Sequence, residues 1–202
     1  KRAFDLSCDP AVVAAALGPL GAGRPGLRVP GTFDGFELAV RAVVGQQISV
    51  RAARTLLGRI ARAFGETVSA DEGDALIRLF PAAACIAVVP PGELVKLGVT
   101  QTRARTLVAL AAAVASGAIP LEPESDVDAT LEALTALPGI GTWTANYVAM
   151  RALRWPDAFL ANDLVVLKAL GEIRPAQALR LSESWRPWRS YAVMHLWSNA
   201  SC

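Results

Sequence analysis

Apolar residues recur at intervals of three and four along most of the chain, the spacing that places them on one face of an α-helix. The pattern predicts helices over residues 10–17, 36–64, 75–80, 82–89, 102–116, 126–136, 142–153, 164–170 and 188–198. Short segments rich in glycine and proline lie between them, and such segments end one helix and begin the next. The sequence therefore predicts an all-α protein with short loops.

One segment near the start of the chain departs from this pattern. Residues 4–8 alternate between apolar and polar side chains, which predicts a short strand. Because a strand without a partner is marginally stable, we expect residues 1–9 to be the remnant of another domain or a linker. Residues 10–202 are expected to form the main domain. Helices over 36–136 would form one subdomain, and the ends of the chain with 142–202 would form the other.

Composition narrows the class of protein. The chain has 202 residues, 53% of them hydrophobic, which is enough for a sizeable buried core. No apolar run reaches the roughly 20 residues that a membrane-spanning helix needs, so a cytoplasmic protein is expected. Cys8, Cys85 and Cys202 are odd in number and far apart, and we interpret them as reduced thiols. His195 is the only histidine and is assigned to packing.

The net charge of +2 says little about the partner. The distribution of arginine says more, because Arg51, Arg54, Arg59 and Arg62 follow one another within one predicted helix. Such a face either contacts phosphates or is an ordinary solvated surface, and the sequence leaves both open.

The run Leu-Pro-Gly-Ile-Gly at 137–141 separates two predicted helices. Two glycines one residue apart allow a sharp bend, and they leave N–H groups free at a helix N-terminus, where the dipole favours an anion. A phosphodiester fits such a place, and this contact would position a protein on a nucleic acid without reading its sequence. A bare Gly-x-Gly also occurs in ordinary turns, so the motif alone leaves both interpretations open.

Asp163 stands 22 residues after Gly141, directly before the apolar helix that begins at Leu164. The positive end of a helix dipole favours an ionised carboxylate. Such an anion can stabilise the positive charge that develops when an N-glycosidic bond breaks, and it can orient an attacking water. Asp163 or its neighbour Asn162 can also serve only as a helix cap.

Four segments, at 40–49, 137–147, 159–163 and 185–191, together resemble the bacterial 3-methyladenine DNA glycosylase II family of the helix-hairpin-helix glycosylase superfamily. The signature of that superfamily is the hairpin followed by an aspartate about two dozen residues later. The resemblance implies two helical subdomains flanking an active-site cleft, with an N-terminal α+β domain that is mostly missing here. It also implies a flipped nucleotide in the cleft and Asp163 as the catalytic carboxylate.

The resemblance further assigns roles to the residues around the cleft. The base pocket would be lined by Trp143, Tyr147 and Trp197. DNA contacts would come from Gln46, Gln47, Gly139, Gly141, Thr142 and Thr144. The backbone carbonyls of Thr135, Leu137 and Ile140 would hold a monovalent cation, Na⁺ or K⁺. Electron-rich rings attract a cationic base by about 0.5 to 2 kcal/mol per good contact. Core packing is the more common role of any single aromatic, but the resemblance favours the pocket for Trp143 and Trp197 together. The best-known relatives carry leucine at the position of Gln47, where a side chain fills the gap left by the flipped base.

Two absences define the expected chemistry. Bifunctional relatives carry a lysine at the position of Trp143, so the resemblance implies hydrolysis by water without a Schiff base or strand cleavage. The four-cysteine cluster that binds an iron–sulfur centre in some relatives is missing, so no such cluster and no required cofactor are expected. The resemblance therefore implies a monofunctional hydrolase that removes alkylated purines from double-stranded DNA. Such an enzyme is expected to be a monomer associated with the bacterial nucleoid.

Two alternatives stay open. A non-catalytic helix-hairpin-helix DNA-binding module would keep the hairpin and have no need of Asp163. A glycosylase for another class of lesion would keep every motif, because the motifs do not specify the shape of the pocket.

Overall fold

The computed structural model describes residues 2–68 and 77–200 and is built almost wholly from helices, so the all-α class is confirmed. The exception in this part of the chain is a pair of short antiparallel strands, β1 (Thr67–Val68) and β2 (Ile77–Arg78). The helix predicted over 75–80 is therefore wrong at β2, because so short an apolar pattern does not separate a helix from a strand. Residues 75–76 and Cys202 lie outside the described residues.

The α-helices of the described residues follow in chain order. They are α1 (Pro10–Leu17), α2 (Pro19–Ala22), α3 (Gly35–Gly45), α4 (Val50–Phe64), α5 (Ala83–Ala87), α6 (Pro91–Lys96), α7 (Gln101–Ala115), α8 (Val127–Ala136), α9 (Thr142–Arg151), α10 (Leu164–Ala169), α11 (Pro175–Ser182) and α12 (Arg189–Ala200). Short 3-10 helices occupy Arg2–Phe4 and Glu183–Trp185. Within these ranges no helix combines the length and the apolar character that crossing a membrane requires.

Side-chain caps fix where several helices begin. Asp34 before α3 and Asp126 before α8 each accept, through Oδ1, the N–H three residues later at 2.9 Å. Ser49 does the same before α4 at 3.2 Å. These short polar side chains satisfy N–H groups that have no partner inside the helix.

The helix predicted over 36–64 is in fact α3 and α4, separated by a turn at 46–49. The apolar spacing continues across the turn from Val44 to Ile48, and for this reason the pattern does not reveal the break. The chain reverses at Gln47, whose φ is 55°. The correction matters for function because it places Gln47 at the tip of an exposed turn.

Three helices, α2, α6 and α11, lie where the pattern predicts none. Each begins with a proline at the first helical position: Pro19, Pro91 and Pro175. Proline fits that position because its missing N–H would have no partner there. Prolines that the sequence suggests as helix ends are therefore helix starts.

The strand predicted over residues 4–8 is wrong. This segment holds the end of a 3-10 helix and a turn, and side chains from elsewhere fix it in place. Tyr191 donates its hydroxyl to Asp5 Oδ2 at 2.5 Å, and Arg28 donates to the carbonyl of Cys8 at 2.9 Å. Burial first, and the contact with Asp5 next, raise the pKa of the Tyr191 phenol, so it stays a donor.

Buried apolar side chains form two clusters that meet at α9. The first draws mainly on α3, α4, α5, α7 and α8, and the second on α1, α10, α12 and the loop before α10. On α9, Val148 belongs to the first cluster and Met150 to the second, and Tyr147 packs against both. Residues of α9 thus lie where the two clusters meet.

Candidate active site

The turn between α8 and α9 at 137–141 is the predicted hairpin. Gly139 has a φ of 91°, in the region that favours glycine. Thr106 of α7 donates its hydroxyl to the carbonyl of Pro138 at 2.7 Å, and a Cβ at Gly139 would lie 2.3 Å from Thr106 Oγ1. By contrast, a Cβ at Gly141 would meet nothing within 4 Å. The hairpin therefore requires glycine at 139 for its fold.

Gly139→Ala is expected to lower the free energy of unfolding by about 2 to 4 kcal/mol, because alanine is strained at this φ and its methyl group overlaps Thr106. Urea unfolding measures the loss. Gly141→Ala is the matched control, since φ is −94° there and the space is open. We expect the control to lie within about 0.5 kcal/mol of the wild type. Equal losses in the two variants would contradict the assigned role of Gly139.

Gln46 joins the α3–α4 turn to the hairpin. Its Nε2 donates to the carbonyl of Gly139 at 3.1 Å and to Oγ1 of Thr144 at 3.0 Å. Arg103 donates to the backbone carbonyl of Gln46, and Thr144 is buried. The side chains of Gln46 and Thr144 thus bond to each other and hold the hairpin, while their predicted contact with DNA stays a prediction.

Gln47, in contrast, is exposed at the tip of its turn. A positive φ at a residue other than glycine costs about 1 kcal/mol or more and marks a conformation that the surroundings impose. The neighbours of the Gln47 turn are the exposed hairpin residues Gly139 and Gly141, which line the same cleft. Thr142 is exposed at the start of α9. The structure therefore brings most of the predicted DNA-contacting residues to one surface.

Asp163 is the N-cap of α10. Its Oδ1 accepts the N–H of Val165 at 3.0 Å and that of Val166 at 2.9 Å. The interpretation of Asp163 as a helix cap is therefore confirmed. Oδ2 takes no part in the cap and is available to a donor from another part of the chain.

Two indole groups complete the surroundings of the carboxylate. Trp143 Nε1 donates to Oδ2 of Asp163 at 2.9 Å, and Trp197 Nε1 donates to Oδ1 at 3.0 Å. With the two cap contacts, four N–H donors converge on a carboxylate that is only 9% exposed. These donors fix the position of a buried carboxylate. No motif in the sequence signals these indole contacts.

Three aromatic side chains, of Trp143, Tyr147 and Trp197, form an aromatic wall next to Asp163. Trp143 stacks on Tyr147 with ring centroids 5.3 Å apart and planes 6° apart, and Tyr147 tilts against Trp197 at 6.4 Å and 49°. The Arg151 guanidinium lies over the Tyr147 ring at 5.9 Å. Tyr147 thus contacts both tryptophans of the predicted pocket.

A cleft of about 740 Å³ lies between the Gln47 turn, the hairpin and the start of α10. Its lining includes Gln47, the hairpin glycines, Trp143 and Asp163. Of the three aromatics predicted for the base pocket, only Trp143 lines this cleft, while Tyr147 and Trp197 do not. A second cavity of about 340 Å³ lies on the other side of Trp143 and Asn162, next to α11 and Arg189. Another of about 760 Å³, near Phe33 and Glu122, contains none of the predicted site residues. Only the first of these three cavities joins the candidate carboxylate to the hairpin.

A buried ion pair joins the segments that carry Asp163 and Trp197. Arg189 donates through Nε to Asp157 Oδ1 at 2.8 Å and through Nη2 to Oδ2 at 2.9 Å. Arg186 adds a contact to Asp157 Oδ2 at 2.6 Å, and Glu183 bonds to both arginines. Asp157 precedes the loop to Asp163, and Arg189 begins the helix that carries Trp197. Sequence reasoning missed this pair, because its partners lie 32 residues apart and follow no spacing rule.

His195 of α12 is buried, 3% exposed, and its Nδ1 has no hydrogen-bond partner. Burial lowers its pKa, and the positive charge of Arg24 adds to the effect. A neutral, buried imidazole agrees with the packing role that the sequence suggests.

The hairpin carbonyls predicted to hold a cation have lone pairs that no hydrogen bond of the described residues uses. Leu137 O accepts the N–H of Ile140 at 3.1 Å, which leaves it a second lone pair. Among the described residues, no turn or loop N–H bonds to the carbonyls of Thr135 and Ile140. Neutral carbonyl oxygens are the donors that monovalent cations accept in place of water. Clusters of three or more His, Cys, Asp or Glu side chains suited to a metal are not found in the described part of the chain.

A hairpin at an α-helix start and a capped carboxylate on one cleft define a protein of the helix-hairpin-helix class. Residues 40–186 match the HhH-GPD superfamily of base excision DNA repair proteins, and the chain belongs to that superfamily.

Two curated relatives match nearly the whole chain. DNA-3-methyladenine glycosylase 2 of Escherichia coli is 43% identical over 197 residues, which cover 98% of this chain and 69% of that protein. The probable bifunctional transcriptional activator/DNA repair enzyme AlkA of Mycobacterium tuberculosis is 42% identical over 208 residues, 98% of this chain and 41% of that protein. The chain thus spans only part of each relative.

Solved structures share the fold at lower identity. The 3-methyladenine DNA-glycosylase of Archaeoglobus fulgidus has a TM-score of 0.76 at 22% identity, covering 96% of this chain and 70% of that one. The 8-oxoguanine glycosylase/lyase of Clostridium acetobutylicum, in complex with double-stranded DNA, has a TM-score of 0.82 at 18% identity, covering 99% and 72%. Since proteins named for different lesions share this fold, the fold does not determine the lesion.

Proposed function

We propose that this chain carries the catalytic domain of a monofunctional DNA glycosylase that hydrolyses the N-glycosidic bond of alkylated purines in duplex DNA. The observation that carries the proposal is the buried Asp163 carboxylate, held by four N–H donors on a cleft shared with the hairpin. The names of the E. coli and Bacillus subtilis relatives, both DNA-3-methyladenine glycosylases, support the same substrate class.

The hairpin and Gln47 would prepare the substrate. Backbone N–H groups at Gly139 and Gly141 face a phosphate of the DNA, and Gln46 and Thr144 keep the hairpin in shape. The scissile bond is buried in the duplex, so the nucleotide must be flipped into the cleft before it can react. The exposed Gln47 fills the gap that the flipped nucleotide leaves in the duplex. Its amide can form a hydrogen bond with the unpaired base on the other strand.

Asp163 would then stabilise the transition state. Breaking the bond between sugar and base leaves positive charge on the sugar, and a fixed anion stabilises that charge without reorganising. The same oxygens can orient a water for attack on the sugar carbon, and the water's proton passes to the carboxylate. A purine alkylated on a ring nitrogen leaves as a neutral base, so no general acid is required.

Trp143 would exclude a lyase step. A Schiff base needs an amine nucleophile, and the indole N–H at this position donates to the carboxylate instead. This contact favours hydrolysis over the glycosylase/lyase chemistry named for the Clostridium protein.

The aromatic wall would select the leaving group. Stacked rings attract a cationic purine by about 0.5 to 2 kcal/mol per contact more than a neutral one. The stack of Trp143 on Tyr147 is the observation that favours an alkylated base over a neutral oxidised one. A non-catalytic DNA-binding module would gain nothing from burying a carboxylate among indoles.

The hairpin carbonyls of Thr135, Leu137 and Ile140 would hold a Na⁺ or K⁺ ion. When bound, this ion supplies positive charge next to a DNA phosphate. No other cofactor is part of the proposal, and the protein would act as a monomer on double-stranded DNA.

The test is base release by the purified protein from duplexes that each carry one lesion: 3-methyladenine, 7-methylguanine, 8-oxoguanine or uracil. We expect release of the alkylated purines and no release of the other two. Preferential release of 8-oxoguanine or uracil would contradict the substrate class.

The same reaction distinguishes hydrolysis from a lyase step. The product strand is expected to stay intact until alkali is added, and borohydride should trap no covalent adduct. A trapped adduct would refute the proposed role of Trp143.

A further inference from the structure

The positive charge of the chain is concentrated in one segment. Residues 38–65 contain five of the twenty basic residues and none of the eighteen acidic ones. The rest of the chain therefore carries more acidic than basic side chains. Most of this segment is α3 and α4, and α4 alone holds four of the arginines.

Three of the arginines form one exposed face of α4. Arg51, Arg54 and Arg62 line a shallow groove of about 690 Å³ with Gly58 between them, while Ala53, Leu57 and Ile60 of the same helix face the core. The Arg62 guanidinium lies 3.8 Å from where a Cβ of Gly58 would be. A glycine at this position keeps the groove free of a side chain.

Among the described residues, the guanidinium groups of Arg51, Arg54 and Arg62 have no hydrogen-bond or ion-pair partner. Arg59, expected on the same face, is turned away and donates to the carbonyl of Leu97 at 2.9 Å. Glu37 lines a small cavity together with Arg54, and Arg41 already pairs with Glu37. Three unpaired arginines on one face favour an anionic partner over a structural role.

The face begins at the cleft. Arg51 lies four residues after Gln47, the exposed residue at the rim of the cleft. At 1.5 Å per residue, Arg51 and Arg62 are about 16 Å apart along the helix. One DNA strand presents a phosphate about every 3.4 Å of duplex axis, so the face spans about five nucleotides.

We propose that Arg51, Arg54 and Arg62 form a second phosphate-binding surface, the α4 arginine face, which holds the duplex arm on the Gln47 side of the lesion. The proposal rests on the proposed function for its ligand, DNA, and adds to it a contact outside the hairpin. The hairpin and the α4 arginine face would contact the DNA backbone on opposite sides of Gln47. Together they would hold the duplex while one nucleotide leaves the stack.

The test compares two triple variants with equal charge change. One is Arg51→Gln, Arg54→Gln and Arg62→Gln. The control is Lys96→Gln, Arg174→Gln and Arg180→Gln, which are exposed residues outside the cleft lining. Glutamine keeps the helical propensity, and thermal unfolding checks that both variants fold. The probe is a duplex of about 20 base pairs with a central abasic-site analogue.

The slope of log K against log salt concentration is expected to fall by about two to three in the α4 variant, about 0.9 for each phosphate that the protein no longer neutralises. Its affinity at 0.1 M salt is expected to drop by about ten- to a hundredfold. The control should keep the wild-type slope and affinity. The α4 arginine face is refuted if the α4 variant has the slope and affinity of the control.

Shortening the duplex locates the contact. We expect the wild type to lose affinity when one of the two arms is cut to about four base pairs, and the α4 variant to be insensitive to that cut. Equal sensitivity in both proteins would overturn the proposal. These measurements need no base release, so an inactive wild type would refute the proposed function and leave this comparison intact.

Discussion

Asp163→Asn is expected to slow the release of 3-methyladenine from duplex DNA by about a thousandfold or more, because it removes the charge that stabilises the sugar cation. The fold should survive the change. Asparagine caps helices about as well as aspartate, so its amide oxygen can still accept the Val165 and Val166 N–H groups. The amide nitrogen would face the Trp143 indole N–H, and the loss of that one hydrogen bond costs about 1 kcal/mol.

Single-turnover base release and thermal unfolding together measure this prediction. Asp126→Asn is the matched control, because Asp126 caps α8 in the same way and does not line the cleft. The control should release base at the wild-type rate. The Asp163 variant should also keep wild-type affinity for an abasic-site analogue. A folded Asp163→Asn protein with a rate within tenfold of the wild type would sink the catalytic assignment.

The sequence predicts Asp163 from a local signal and from the family resemblance. An aspartate before an apolar run gives the cap, and its distance from the hairpin gives the resemblance to the glycosylases. The two indole contacts could not be predicted, because Trp143 and Trp197 lie 20 and 34 residues from Asp163 and only tertiary packing brings them together. The aromatics were predicted as a stacking surface, yet each tryptophan also donates an indole hydrogen bond to Asp163.

Helices were predictable where the apolar pattern stops at glycine or proline, as at α1 and α8. The pattern fails where it continues through a turn, as at Gln47. There the reversal depends on one residue with positive φ and on the bonds that Gln46 and Arg103 make to fix the turn. These bonds join parts of the chain 57 and 93 residues apart, so no local rule contains them.

The second large effect concerns stability. Arg189→Met is expected to lower the free energy of unfolding by about 3 kcal/mol. Removing one partner of a buried ion pair costs about 3 to 5 kcal/mol, because the other charge is left buried without compensation. Asp157 and Arg189 side chains are 8% and 6% exposed. The loss falls at the lower end of the range because Arg186 still contacts Asp157.

Urea unfolding of matched variants isolates the cause. Arg186→Met removes the other arginine on the same carboxylate, and its side chain is 49% exposed, so a loss of about 1 kcal/mol or less is expected. The double variant Asp157→Leu with Arg189→Met removes both buried charges and should recover most of the stability. Equal losses for Arg186→Met and Arg189→Met would contradict the role of burial.

The pair also links stability to the site. Asp157 lies six residues before Asp163, and Arg189 lies eight residues before Trp197, so the ion pair fixes the two segments that bring the Trp197 indole to the carboxylate. At a temperature where it is folded, the double variant should therefore release base more slowly than the wild type even though its stability recovers. A wild-type rate in that variant would show that packing alone, without the ion pair, positions Trp197 against Asp163.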